Sequence, residues 1–147
     1  MITLTDQSFD PGEALNRFAA GRCDSGAVAS FLGLARGELG QATALELEAW
    51  PEYTTSEIGR LVDEARQRFS LHDATVIHRT GRIAPGEPIV LVLTAAGHRR
   101  EAFEACDFLM DYLKSRAPLW KKEFGPSGAR WVEPTERDLA DAERWHR

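Results

Sequence analysis

"PIVLVLTAAGHRREAFEACDFLMDYLKSRAPLWKKE", Pro88 to Glu123, holds the pieces that decide the fold. It opens on a run of Ile, Val and Leu too short to cross a membrane, which reads as a buried strand. After Gly97 the pattern changes period: from His98 to Arg116, Phe103, Cys106, Leu109, Met110 and Leu113 recur at helical spacing on one face. Pro118 stops that helix, because the residue before a proline is pushed out of the helical region. A strand feeding directly into a long amphipathic helix predicts a sheet with helices packed on it.

Working outward, "ATVIHRTGRI" precedes this block across the turn "APGE", and Pro85-Gly86 suits a reversal between antiparallel strands. Upstream, Thr54 with Glu57 reads as a capping box that opens a helix carrying Ile58, Leu61, Val62, Ala65 and Phe69. "GAVASFLGLAR" (26–36) and "ATALELEAW" (42–50) read as two strands, paired as a hairpin through "GELGQ". "ITLTDQ" is a short first strand, and Asp10-Pro11-Gly12-Glu13 provides the N-cap, first-turn proline and capping glutamate of a helix that ends at Gly21. A strand near Ala129–Val132 and a charged helix from Thr135 complete the pattern. The expected class is α+β: a mostly antiparallel sheet with helices on one face, residues 1–147 forming a single domain.

Composition excludes several functions. The 147 residues carry a formal charge of −5, the wrong sign for a nucleic-acid binder. No basic-then-apolar leader opens the chain and no membrane span is present, so a cytoplasmic protein is expected. Cys23 and Cys106 stand far apart without zinc-ligand spacing, so no metal is expected and Cys106 reads as a core residue. GxSxG, Walker A and GxGxxG patterns are absent.

Charge is nevertheless uneven. Eight Lys or Arg face five Asp or Glu between His78 and Lys122, a net +3 that leaves −8 for the remainder. Isolated surface cations are ordinarily solvated, and Lys114 and Arg116 sit where a helix C-terminus favours them anyway. His98 and Arg99 are different: cations at a helix start oppose the dipole unless an anion lies between. Arg36 ends an apolar strand, where a guanidinium can hold phosphate or carboxylate bidentately. Lys121 follows Trp120, and a lysine held against an aromatic would be partly desolvated and suited to proton transfer or nucleophilic attack. His78 and Arg79 should alternate across a strand, with one of them buried and bonded. From the residues alone the chain is an anion-accommodating protein with a candidate active lysine.

Taken in order, "GAVASFLGLARG", "LELEAWPEYT", "VIHRTGRIAPGEPIVLVL", "GHRREAFEACDFLMDYLKSRAPLWKKE" and "RWVE" resemble the large, catalytic subunit family of molybdopterin synthase over nearly the whole chain. The resemblance implies an α/β hammerhead-like fold with a small antiparallel subdomain. It also implies a sulfurtransferase that converts cyclic pyranopterin monophosphate (precursor Z) into molybdopterin. Sulfur would arrive as the C-terminal Gly-Gly thiocarboxylate of a small ubiquitin-like partner, and a homodimer of large subunits would sit inside a heterotetramer. No cofactor is implied. Carried over by position, Arg36, His98 and Arg99 would grip substrate beside the Leu34-Ala35 backbone. Lys114 and Lys121 would be catalytic, with Lys122 and Glu123 lining the same pocket. The chain departs from the family at Ala35, where valine is commoner, and at Trp50, where tyrosine is commoner; both changes imply packing adjustments. The competing readings are a non-catalytic homodimeric scaffold for a ubiquitin-like partner and, without a recognisable phosphate cup, a lysine Schiff-base enzyme.

Overall fold

The computed structural model describes residues 1–36, 44–126 and 128–146. Its strands are β1 (Ile2–Thr5), β2 (Ala27–Leu34), β3 (Ala44–Ala49), β4 (Asp73–Arg79), β5 (Gly81–Ile83), β6 (Pro88–Ala96), β7 (Leu119–Gly125) and β8 (Gly128–Val132). Its helices are α1 (Pro11–Ala19), α2 (Pro51–Arg68), α3 (Arg99–Ser115) and α4 (Glu136–Glu143), and a 3-10 turn covers Arg144–His146. The class is α+β, as read from the sequence.

The strands form two four-stranded sheets, ordered β1-β4-β6-β2 and β5-β3-β7-β8. Among the described residues only β1 with β4 is parallel. Strand β6 explains the first sheet: it is apolar on both faces because both are covered. Val90, Val92 and Ala96 join α2 and α3 in the main core, while Leu91, Leu93 and Ala95 meet Phe18 of α1 on the other side. The expectation of helices on one face is thereby corrected, since α1 occupies the second.

The β2–β3 hairpin is also corrected. β2 pairs antiparallel with β6, whereas β3 pairs with β5 and β7 in the other sheet. The expected "GELGQ" turn lies outside the described residues. Alternation in β3 holds, with Leu45 and Leu47 buried and Glu48 exposed.

Local signals met two outcomes. Asp10 accepts from the Glu13 amide at 3.1 Å, and Thr135 forms a complete capping box with Asp138. Thr54 does not cap. Helix α2 starts a turn earlier at Pro51, and the fully buried Thr54 hydroxyl donates to the Pro118 carbonyl at 2.8 Å, tying α2 to the segment after α3. Phe103, expected on the buried face of α3, is 64% exposed.

His78 and Arg79 are both buried, at 7% and 4% exposure. Arg79 donates to Glu87 at 2.9 Å and to the Arg82 carbonyl at 3.2 Å, pinning the β4–β6 turn region. The hydrogen bond from Arg79, then the one from the Ala84 amide, holds the Glu87 carboxyl below its ordinary value of 4.5. A depressed carboxylate stabilises the fold above its unfolded value and loses that contribution as pH falls through its folded one. Urea midpoints should therefore change little in this respect down to pH 5 and then drop below 4.5, a drop that Glu87→Gln should reduce.

Candidate functional site

Helix α3 ends under the second sheet, and the space between them is a cavity of ≈ 540 Å³. Phe31, Leu32, Met110 and Leu113 give it an apolar wall. Lys114 enters from the last turn of α3 and Lys121 from β7, so two cations 7 positions apart in sequence meet across one space. Exposed Leu34 and buried His78 lie in its lining, and exposed Glu133 with half-buried Asp138 gives it an acidic lip. Sequence reading did not place His78, the apolar wall or the lip there.

Strand alternation sorts the "WKKE" residues. Lys121 is opposite Leu47 and Glu123 opposite Leu45, so both face the cavity side of the sheet; Trp120 and Lys122 face away. Lys121 is thus not held against Trp120. Its side chain keeps 39% exposure and its Nζ lies 3.8 Å from Glu123, whose other oxygen meets Arg130 at 3.3 Å. Glu123 sits between two cations and orients both. On the far face Lys122 lies over Phe124 and Trp131 at 5.6 and 5.2 Å, and Trp120 packs near Trp50 with ring centroids 6.3 Å apart.

Arg36 follows buried Ala35, whose amide donates to the Glu87 carbonyl at 2.8 Å and whose carbonyl accepts from Gly86 at 2.7 Å. These bonds fix Arg36 at the exposed end of β2, beside the Leu34 edge of the cavity. His98 and Arg99 are elsewhere. They are exposed at the start of α3, where His98 is the N-cap residue with no side-chain cap bond. Fifteen residues of helix separate Arg99 from Lys114, roughly 22 Å at 1.5 Å per residue. One chain therefore brings Leu34, Lys114 and Lys121 to one cavity at the end of α3, with Glu123 beside Lys121, and holds His98 and Arg99 at the other end of the helix; Ala35, Arg36, Lys122 and Glu123 are not among the residues that line the cavity. The length of the helical pattern in the sequence already carried that signal.

The thiol of Cys106 is pushed up to about 12, by burial first and by the Asp107 charge second, so it remains a protonated core group. Among the described residues no cluster of three His, Cys, Asp or Glu is arranged to hold a metal, and no helix is long and apolar enough to cross a membrane.

A two-sheet α+β body with two lysines lining a cavity at the end of α3 has the arrangement that can accommodate an anionic ligand. A family model described as MoaE protein matches residues 4–116. The molybdopterin synthase catalytic subunit of Caulobacter vibrioides is 62% identical over 145 residues, covering 99% of this chain and 97% of that one. Its counterpart from Mesorhizobium japonicum is 51% identical over 146 residues, covering 98% and 92%. The solved MoaE protein of Burkholderia ambifaria gives a TM-score of 0.85 at 38% identity, covering 100% of this chain and 98% of that one. The chain belongs to the MoaE family.

Proposed function

We propose that this chain is the catalytic subunit of a cytoplasmic molybdopterin synthase. It moves sulfur from the C-terminal thiocarboxylate of a small ubiquitin-like partner onto cyclic pyranopterin monophosphate. The observation that carries the reading is the convergence of Lys114 and Lys121 on one cavity, in a chain whose relatives are named for that synthase. Both reactants are anionic. Two ammonium groups in a partly apolar cavity offset their repulsion and stabilise charge that builds on the carbonyl oxygen during transfer. A tail with a Gly-Gly end has the slimness to reach such groups.

Separation of His98 and Arg99 from the lysines favours a homodimer in which each site is shared. Among the described residues β2 pairs only with β6, leaving an edge whose Phe31, Leu32 and Leu34 are 42%, 41% and 53% exposed. One end of β2 is bonded beside the start of α3, through the Gly26 amide and the Ala96 carbonyl; the other leads to Arg36. If two copies meet along β2 about a two-fold axis, the partner copy's α3 start comes to this copy's Arg36 and Lys114 end. The strand spans roughly 27 Å at about 3.4 Å per residue, close to the α3 distance. That arrangement reunites the cations and covers the apolar edge.

Reconstitution tests the reading: purified protein, thiocarboxylated small subunit and precursor Z should yield molybdopterin, detected by fluorescence of its oxidised derivative. A scaffold would form the complex but neither bind precursor Z nor yield product. Absence of product with active partner and substrate would contradict the proposed activity.

A further inference from the structure

His78 is the buried titratable group of the cavity that the proposed chemistry does not use. It stands on β4 opposite Val90 of β6, on the sheet face beneath α3, and lines the same space as Lys114 and Lys121. Its Nδ1 lies 2.9 Å from the Arg79 carbonyl. A carbonyl oxygen only accepts, so in the neutral ring Nδ1 carries the proton and Nε2 keeps its lone pair. Among the described residues Nε2 has no hydrogen-bond partner, and the sealed side-chain polar atoms left without one are Arg79 Nε and Glu101 Oε2, so Nε2 is not sealed. The cavity is the space that His78 lines. Burial first, and the Lys114 charge in addition, hold the ring below its ordinary value of 6.5, against the Arg79 carbonyl bond.

Resting on the function proposed above, we propose that His78 is the substrate-orienting acceptor of the site. Its Nε2 takes a hydrogen bond from an N–H or O–H of the pterin, while the lysines meet the anionic groups. The cavity's other charged lining groups are Lys114 from α3, Lys121 from β7, Glu133 after β8 and Asp138 from α4. The lysines can only donate when charged, and the two carboxylates stand at the lip. A neutral acceptor in the sheet face can receive the ring's donor without adding a second negative charge beside the thiocarboxylate.

Two substitutions separate this role from a structural one. His78→Asn keeps a donor near the Nδ1 position for the Arg79 carbonyl and removes the Nε2 acceptor; His78→Gln retains an acceptor near Nε2 and forfeits the Nδ1 bond. Titration with precursor Z should show Kd raised about tenfold in His78→Asn, the loss of one neutral hydrogen bond, and within about threefold of wild type in His78→Gln. Urea midpoints should rank the opposite way, with His78→Gln the less stable. Wild-type affinity should still hold at pH 6.5 and fall only at lower pH, as the ring passes through its lowered value, because protonated Nε2 donates and cannot accept; His78→Asn should lack that limb while keeping Lys114, Lys121, Glu133 and Asp138. Equal affinity of His78→Asn and wild type at every pH overturns the inference and leaves the synthase reading standing. Failure of wild type itself to bind precursor Z overturns both.

Discussion

Lys114→Ala and Lys121→Ala should each lower molybdopterin formation about a hundredfold, the usual loss when one group aimed at developing negative charge is removed. Both ammonium groups reach the same cavity from different elements, one from a helix end and one from a strand. Neither is part of the packed core: Lys114 is exposed, and the Lys121 side chain keeps 39% of its surface. Their removal should therefore change unfolding free energy by no more than about 0.5 kcal/mol. The measurement is a single-turnover reconstitution alongside urea denaturation. Near-normal rates in both variants would make these lysines solvated surface charges.

Phe108→Ala should destabilise the fold by about 4 kcal/mol. Phe108 is fully buried in α3, with ring centroids 4.7 Å from Tyr112, 5.5 Å from Phe69 and 5.5 Å from Trp145. Truncation removes its burial and leaves a cavity among rigid rings that cannot collapse into it. The consequence reaches the site, because the same cluster holds the C-terminal segment on α3. Arg144 and Trp145 both donate to Asp111 at 2.6 Å, and α4 supplies Asp138 to the cavity lip. A loss under about 1 kcal/mol by chemical denaturation would show that these rings do not form one packed unit.

Elements whose signals are local were legible in the sequence. The β6–α3 block changes period at Gly97 in the structure as in the sequence, Pro118 follows the end of α3, and Asp10 and Thr135 cap their helices. Pairing was not legible. Two alternating runs around a glycine-rich connection look the same whether they join each other or separate sheets, so β2 and β3 read as a hairpin although each finds its partner far along the chain. Thr54 and Glu57 have capping-box spacing, but α2 already runs from Pro51, so Thr54 sits inside the helix with its amide bonded to the Trp50 carbonyl, and its hydroxyl donates to Pro118 instead. At the site, helical and strand registers bring Lys114 and Lys121 together and turn Lys122 away. His78 was hidden because a strand histidine facing a core has the same sequence signature as one facing a cavity.

Mixing two inactive variants tests most directly whether the cations act as one site shared between copies. One variant carries Arg99→Ala and the other Lys114→Ala; they are unfolded together, refolded and reconstituted with thiocarboxylated partner and precursor Z. Half of a random mixture is hybrid, and each hybrid holds one site with both residues intact, so about one quarter of wild-type activity should return. A mixture as inactive as its two components would contradict a site assembled from both copies.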